Sequence, residues 1–272
     1  MEPKENQSDL FPAAMETDGS VRVKRYARRK AVRQLQDILW PDSIRAVRIA
    51  AGCGSFEEFV ARLPGEMTQT SLHTRGRAMT TILSRYFADL TVQTLPCRVW
   101  RTWNDPALLE AVMGPLLLQS EPLLGRLIAE RLHPIPPGSM LPLDFFRQYG
   151  DEVGGRNAIN VSKRCAGAAR NLGWIARVRG RSFRVQPCIE PTAALLLLHR
   201  EYAPTPRIVD LEAVAAGTLW KYLGFASVQE LRACIASFVE RGLIARFVQV
   251  DRLDQFTTRY TLDELLERGL RA

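Results

Sequence analysis

The densest group of residues that could do chemistry is a basic stretch in the second half of the 272-residue chain. Arginine makes planar, bidentate contacts to phosphate and guanine, and a neighbouring carboxylate would weaken that attraction. Residues 156–184 contain no acid but eight basic residues, namely Arg156, Lys163, Arg164, Arg170, Arg177, Arg179, Arg181 and Arg184. The pattern predicts a surface that binds the phosphates of a nucleic acid.

A second basic run lies near the N-terminus. Residues 22–33 contain seven basic residues and no acid, and we expect phosphate contacts from Arg25, Arg28 and Arg29. The alternative is that this run forms the solvated start of a helix. Residues 1–21 contain five acids and one lysine and show little hydrophobic periodicity. We therefore expect them to form a disordered, acidic tail.

Residues that could catalyse a reaction are few. The three histidines have no partner at metal-ligand spacing, and the five cysteines are at least 23 residues apart. Glycine-rich phosphate loops and the GxSxG nucleophile motif are absent. Asp151 and Glu152 are adjacent acids, but the nearby glycines favour a solvated turn there. We therefore expect a protein that is not an enzyme and that needs no metal and no cofactor.

The elements around the main basic stretch are those of a winged helix. Residues 143–171 suggest two helices separated by glycines, the second of them capped by Asn160 or Ser162. Residues 174–185 suggest a hairpin with Trp174 and Ile175 in the core. In this fold the second helix enters the major groove and the hairpin lies over a phosphate strand. The predicted DNA contacts are Ser162, Lys163, Arg164 and Arg170 on the helix, and Arg177, Arg179, Arg181 and Arg184 on the hairpin.

The rest of the chain predicts a mainly α protein with short β-hairpins. Helical periodicity over 34–132 favours a helical domain that spans 22–132, with a capping box at Ser55 and Glu58 and another helix start at Asp105-Pro106. The proline-rich stretch 133–142 favours a linker. The winged-helix-like DNA-binding module is then assigned to 143–202. A second such module is predicted over 203–272, because "ERGLIARF" resembles "NLGWIARV". Residues 191–272 contain ten basic and ten acidic residues, which makes this second module the weaker candidate for DNA binding.

The whole-chain composition agrees with a polyanionic partner. Lysine plus arginine number 37 against 29 acids, which gives a formal net charge of +8. No apolar run is long enough to cross a membrane, and the N-terminus is polar. We expect a cytoplasmic protein that binds double-stranded DNA and does not bind a membrane.

Four stretches resemble the BrxA family of bacterial BREX phage-defence systems. They are "TSLHTRGRAMTTILSRYF" (70–87), "LLLQSEPLLGRLIAERL" (116–132), "DFFRQYG…CAGAARNLGWI" (144–175) and "IEPTAALLLLHREY" (189–202). The resemblance covers about 44–202, whereas the arm before it and the module after 203 depart from the compact family pattern. It implies a small, mostly helical, non-catalytic protein that binds double-stranded DNA beside larger methyltransferase and ATPase subunits. It supplies no site residues of its own.

Three functions are compatible with these observations. The first is a DNA-binding accessory protein of a phage-defence system. The second is a winged-helix adaptor that joins partner proteins and binds little nucleic acid, since winged helices also serve as protein-interaction modules. The third is a transcriptional regulator that uses the same residues on a defined operator.

Overall fold

The computed structural model describes residues 38–178, 182–250 and 253–272. The protein is mainly helical and has two small antiparallel sheets of short strands, which confirms the predicted fold class. Residues 22–33 lie outside the described residues, and so do Arg179 and Arg181. The N-terminal half consists of α1 (Trp40–Ala51), α2 (Phe56–Glu66), α3 (Leu72–Tyr86), α4 (Leu95–Trp103) and α5 (Pro106–Ser120).

Side-chain caps fix where several of these helices begin. The Ser55 hydroxyl accepts a hydrogen bond from the Glu58 N–H at 3.2 Å, as the sequence predicts. The Glu58 carboxylate accepts the Gly54 N–H instead of the Ser55 N–H, so the reciprocal bond of a capping box is shifted by one residue. Asp105 caps α5, and Pro106 occupies its first turn, where a missing N–H costs nothing.

A first winged-helix unit follows α5. Its elements are α6 (Pro122–Arg126) with a π-helical continuation (Leu127–Leu132), α7 (Phe145–Gly154), a 3₁₀ turn (Gly155–Asn157), α8 (Ala158–Asn171), β1 (Ile175–Arg177) and β2 (Phe183–Val185). The stretch predicted as a linker adds a third strand-like segment to β1 and β2. Met140 forms a bridge with Arg184, and the Gly138 N–H donates to the Val185 carbonyl at 2.7 Å.

A second unit repeats this connectivity. It contains α9 (Pro191–Tyr202), β3 (Ile208–Asp210), α10 (Leu211–Ala216), α11 (Leu219–Tyr222), α12 (Val228–Glu240), β4 (Ile244–Val250) and β5 (Leu253–Thr258), and α13 (Leu262–Glu267) follows. The strand order is β3-β5-β4. The sequence grouped α9 with the preceding module, but α9 packs among the C-terminal elements: residues 193–198 share a core with Leu231, Phe238 and Phe256.

The two units follow each other at a constant spacing of 69 residues. Pro122 and Pro191 each stand in the first turn of a helix, and Met140 and Val209 each pair with the final strand of a hairpin. Gly173 and Gly242 end the longest helix of each unit, and Ile175 and Ile244 begin each hairpin. The chain therefore contains a structural repeat that extends beyond the one short motif visible in the sequence.

The first core continues from the N-terminal helices into the first unit. Phe59 and Phe87 pack with their ring centroids 4.6 Å apart, and the same cluster includes Cys165, Trp174 and Ile175. Trp174 and Ile175 are only 5% and 1% exposed, so their predicted place in the core is confirmed. Since α8 and its hairpin belong to this core, the helical N-terminal half holds them in a fixed position. Among the described residues, no helix is both long and apolar enough to cross a membrane.

Candidate nucleic-acid interface

One face of α8 carries most of the predicted contact residues. Lys163, Arg164 and Arg170 are exposed. The opposite side of the helix is buried through Val161, Cys165, Ala168 and Ala169. This separation follows from the 3.6-residue period of an α-helix, which places residues three or four apart on the same side. We call the exposed residues Arg156, Ile159, Asn160, Lys163, Arg164 and Arg170 the basic face.

Three of the four cations on this face are not neutralised by an acidic side chain of the described chain. Within the described ranges, no carboxylate lies at ion-pair distance from Arg156, Lys163 or Arg170. The two nearest acids in the sequence are already occupied by arginines outside the face. Glu152 pairs with Arg126 at 3.3 Å and also with Arg131, and Asp151 lies 3.8 Å from Arg147. Both acids belong to α7, and the predicted solvated turn at this position is wrong.

Ser162 was predicted to contact DNA, but it does not belong to the basic face. It is half-buried, and its hydroxyl donates to the Ala158 carbonyl at 2.8 Å. A Cβ atom on Gly150 would lie 1.9 Å from the Ser162 oxygen, which shows how closely α7 and α8 approach here. The small hydroxyl and the glycine therefore serve the packing of the two helices.

The start of α8 also differs from the prediction. The sequence favoured a cap at Asn160 or Ser162, but the helix begins at Ala158, directly after the 3₁₀ turn. Asn157 occupies the cap position without a side-chain bond. Lys163 and Arg164 therefore lie in the second turn, and the N–H groups of the first turn are nearer to Ile159 and Asn160. These two residues are exposed on the basic face; their spacing of three or four from Lys163 was the signal in the sequence that could have identified them.

The hairpin places Arg177 and Arg184 on different faces. Arg177 pairs with Phe183, on the same side as Ile175 and Val185, because alternate residues of a strand share a face. The Phe183 ring packs 5.8 Å from the ring of Phe146 in α7, so this is the side that faces the helices.

Arg184 pairs with Ala176, so it lies on the opposite face of the hairpin from Arg177. It is exposed, as is Arg177. The remaining predicted contacts, Arg25, Arg28, Arg29, Arg179 and Arg181, lie outside the described residues.

The equivalent helix of the second unit carries a different surface. The exposed positions of α12 include Gln229, Glu230 and Glu240. Its one basic residue, Arg232, donates through Nε to Asp254 of β5 at 2.9 Å. This carboxylate neutralises the guanidinium, so α12 presents no net positive charge.

Several side chains of the types that could catalyse a reaction are buried or hydrogen-bonded. Burial lowers the pKa of His199, whose Nδ1–H donates to the Leu195 carbonyl at 2.8 Å. His133 donates to the Phe225 carbonyl and packs edge-on against Trp220. Burial raises the pKa of Cys165 to about 12, which keeps that thiol protonated at neutral pH. Within 38–178, 182–250 and 253–272, no group of three His, Cys, Asp or Glu residues could hold a metal ion.

Comparisons with protein-family models, curated proteins and solved structures found no match for this chain. The basic face is therefore assigned from its own geometry and charge. Its chemistry suits a polyanion with regularly spaced phosphates, because several cations lie along one exposed helix.

Proposed function

We propose that this protein binds double-stranded DNA through the basic face and catalyses no reaction. The observation that carries the proposal is the exposed face of α8, where Arg156, Lys163 and Arg170 have no carboxylate at ion-pair distance among the described residues. This helix occupies the position of the one that enters the major groove in winged-helix proteins. The fourteen residues of α8 span about 21 Å, which exceeds the roughly 12 Å width of the major groove. Arg156 and Arg170, near the two ends, are then placed to contact phosphates on both sides.

The middle of the helix suits an approach to the base edges. Gly167 has open space around its Cα, so the backbone of α8 can come close to the floor of the groove. Asn160 supplies an amide of the kind that pairs with adenine, and Ile159, which is 71% exposed, supplies an apolar contact of the kind that recognises a thymine methyl group. The exposure of an isoleucine among cations supports a role in contact rather than in the core.

The biological setting is proposed from the sequence resemblance. The four stretches that resemble the BrxA family support an accessory subunit of a bacterial BREX-type phage-defence system. Such a subunit would bind DNA in the cytoplasm beside other subunits of that system. The hairpin arginines and the basic run 22–33 would add phosphate contacts that do not depend on base sequence.

A salt titration of DNA affinity tests the proposal. We expect Lys163→Glu/Arg164→Glu to weaken the binding of a 20-base-pair duplex, measured by fluorescence anisotropy, because two attractions become repulsions. The matched control is Arg241→Glu/Arg246→Glu, which reverses two exposed arginines of the second unit and should leave most of the affinity. Equal losses in the two variants would show that only the net charge matters, and the assignment to α8 would then be wrong.

A protein adaptor is the second candidate function, and the second unit favours it. Its helix α12 carries exposed acids, and its one arginine is neutralised by Asp254. Charge-balanced surfaces of this kind are typical of protein contacts rather than of contacts with phosphate. If the wild-type protein fails to bind duplex DNA at low salt, the adaptor function replaces the first proposal.

A further inference from the structure

The exposed side of α8 carries two side chains that are not cations. Ile159 and Asn160 lie in the first turn of the helix, and both are exposed. Successive residues of an α-helix lie about 100° apart around its axis. Lys163 therefore lies opposite the buried side of α8, and Ile159 and Asn160 flank it on its two sides. One surface thus combines an apolar group, an amide and a cation.

Ile159 does not contribute to the packing of the protein. It is 71% exposed and belongs to neither of the two hydrophobic clusters that the described residues form. Its apolar surface is in contact with water, and an apolar group of a ligand would remove that contact. Single exposed apolar residues are common on proteins, so the surroundings of Ile159 decide its role.

The second unit uses the same two positions differently. Val228 and Gln229 correspond to Ile159 and Asn160 at the spacing of 69 residues. Val228 packs against the core of the second unit, and the side-chain oxygen of Gln229 accepts a hydrogen bond from Arg232. In the first unit, the Asn160 amide has no hydrogen-bond partner among the described residues. These side chains therefore serve the protein itself in the second unit, whereas in the first unit they can serve a ligand.

Gly167 leaves room for a close approach on the same side of α8. It follows Asn160 by seven residues, which is about two helical turns, and a Cβ atom on it would have no heavy atom within 4 Å. Its φ is negative, so neither its backbone conformation nor its packing requires a glycine. Glycine lowers the stability of a helix relative to alanine, and the close approach of a ligand to the backbone is a reason for its presence. This observation is independent of charge.

The chemistry of these side chains fits the major-groove edge of an A·T pair. Adenine presents N7 as an acceptor and N6 as a donor there, and an asparagine amide bonds to both. Guanine presents two acceptors, so its O6 would face the carbonyl oxygen of the amide. Thymine presents a methyl group, which an apolar side chain contacts. The Cα atoms of Ile159 and Asn160 are about 3.8 Å apart, close to the rise of about 3.4 Å between base pairs, so each residue can contact a different pair.

We propose that α8 recognises two consecutive A·T pairs in the major groove, with Asn160 on an adenine and Ile159 on a thymine methyl group. This proposal rests on the proposed binding of duplex DNA and specifies which base pairs that binding favours. Arg156 and Arg170 contact phosphates, which carry no sequence information. The loss of a base contact should therefore change the preference between duplexes, whereas the loss of a phosphate contact should weaken the binding of all duplexes alike.

Duplexes of alternating sequence test this preference whatever register the protein takes on them. The probes are alternating dA–dT, dI–dC and dA–dU duplexes of equal length, compared by competition in fluorescence anisotropy. A dI·dC pair resembles A·T in the minor groove but presents the two purine acceptors of G·C in the major groove, so it isolates major-groove recognition. We expect the wild type to bind dA–dT about tenfold more tightly than dI–dC. It should bind dA–dT about fourfold more tightly than dA–dU, which lacks only the thymine methyl groups.

Four variants assign the two preferences to residues. Asn160→Ala should bind dA–dT and dI–dC with nearly equal affinity, and Ile159→Ala should bind dA–dT and dA–dU with nearly equal affinity. The matched controls are Asn171→Ala, at the other end of α8, and Ile208→Ala, on β3 of the second unit, and both should keep the preferences of the wild type. All four positions are exposed, so the melting temperatures should remain close to that of the wild type.

The outcomes separate this proposal from the proposed function. Equal affinity of the wild type for dA–dT and dI–dC would leave the binding of DNA intact and overturn the base preference. The base preference is also overturned if Asn160→Ala and Ile159→Ala keep the preferences of the wild type, or if Asn171→Ala abolishes them. A wild-type protein that binds none of the duplexes at low salt would overturn both the base preference and the proposed function.

Discussion

The two winged-helix units have the same backbone plan and opposite surface chemistry. At a spacing of 69 residues, Lys163 of α8 corresponds to Arg232 of α12, so a cation is present at the same helical position in both units. In the first unit it is exposed, and no carboxylate of the described chain pairs with it. In the second unit Asp254 pairs with it. Arg164 and Arg170 correspond to Ala233 and Val239, so the second helix also lacks the other two cations.

The buried positions of the two units agree far better than the exposed ones. Trp174 and Leu243 are both 5% exposed, and Ile175 and Ile244 are both 1% exposed. A glycine ends the helix before each hairpin: Gly173, with φ of +74°, precedes Trp174, and Gly242, with φ of +72°, precedes Leu243. The N–H after this glycine donates to the carbonyl five residues earlier, at 2.9 Å from Trp174 and at 2.8 Å from Leu243. The comparison shows that burial and one helix end maintain the fold, while the surface charge changes independently.

The largest expected effect comes from removing an equivalent core residue in each unit. Trp174→Ala should lower the free energy of unfolding by about 3–5 kcal/mol and Leu243→Ala by about 2–5 kcal/mol, because both side chains are almost fully buried. Urea denaturation measures both values. Val178→Ala, at a position that is 43% exposed, is the control and should change stability by less than about 0.5 kcal/mol. If Trp174→Ala or Leu243→Ala lowered the free energy of unfolding by less than Val178→Ala does, the two hairpins would not be held by equivalent cores.

Sequence periodicity predicted the helical N-terminal half, the two helices over 143–171 and both hairpins, because their apolar positions recur at regular intervals. The caps at Ser55 and Asp105 were also predictable, because each side chain bonds to backbone N–H groups only two or three residues later in the sequence. The strand-like segment at Met140 was missed because its prolines favour a linker and its partner, Arg184, lies far along the chain. The third strand of the second unit, Ile208–Asp210, was missed for a similar reason, since three residues show no periodicity.

The candidate site was predictable in its charge but not in its geometry. An acid-free stretch of basic residues is visible in the sequence, and a helix that carries Lys163 was predicted, although it begins earlier, at Ala158. Ser162 packs against α7 because Gly150, a residue of that other helix, comes close to its hydroxyl. The separation of Arg177 from Arg184 depends on the pairing register of the hairpin. Both are tertiary features that spacing along one segment does not determine.

The next effect tests whether the two helix ends are equivalent. Gly173→Ala and Gly242→Ala should each cost about 1–2 kcal/mol of stability, because both glycines have the left-handed backbone conformation that a Cβ disfavours. Gly167→Ala is the matched control within α8: its surroundings are open and its φ is negative, so alanine should stabilise the helix by about 0.5–1 kcal/mol. Thermal or urea unfolding measures all three. If only one of Gly173→Ala and Gly242→Ala lowered the stability, the two helix ends would not be equivalent.

A smaller effect should separate the two surfaces. Lys163→Ala should reduce the slope of log affinity for duplex DNA against log salt by about 0.9, the value for one lost phosphate contact. Arg232→Ala, at the corresponding position, should leave the slope unchanged, because Asp254 already neutralises that arginine. The two titrations are compared under the same buffer conditions. A matching change in slope for Arg232→Ala would show that both units contact DNA.

The smallest expected effect is a dependence on pH that belongs to the second unit alone. His199 is 1% exposed in its core, whereas the corresponding residue of the first unit, Glu130, is exposed and bonded to Arg126. Burial lowers the pKa of His199 below its ordinary value of 6.5, so below about pH 6.5 the unfolded chain binds a proton that the folded protein does not. The stability that the neutral ring contributes is present above that pH and falls as the pH decreases, by at most about 1.4 kcal/mol per pH unit.

Urea denaturation between pH 8 and pH 5 measures this dependence. We expect His199→Gln to remove part of the loss at low pH, because glutamine keeps a side-chain N–H but cannot gain a proton. His73→Gln is the matched control, since it makes the same substitution at an exposed position outside the second unit. Identical pH profiles for the wild type and His199→Gln would show that the buried ring is protonated without unfolding. The second unit would then accommodate a charge in its core, and the two units would differ in their interiors as well as on their surfaces.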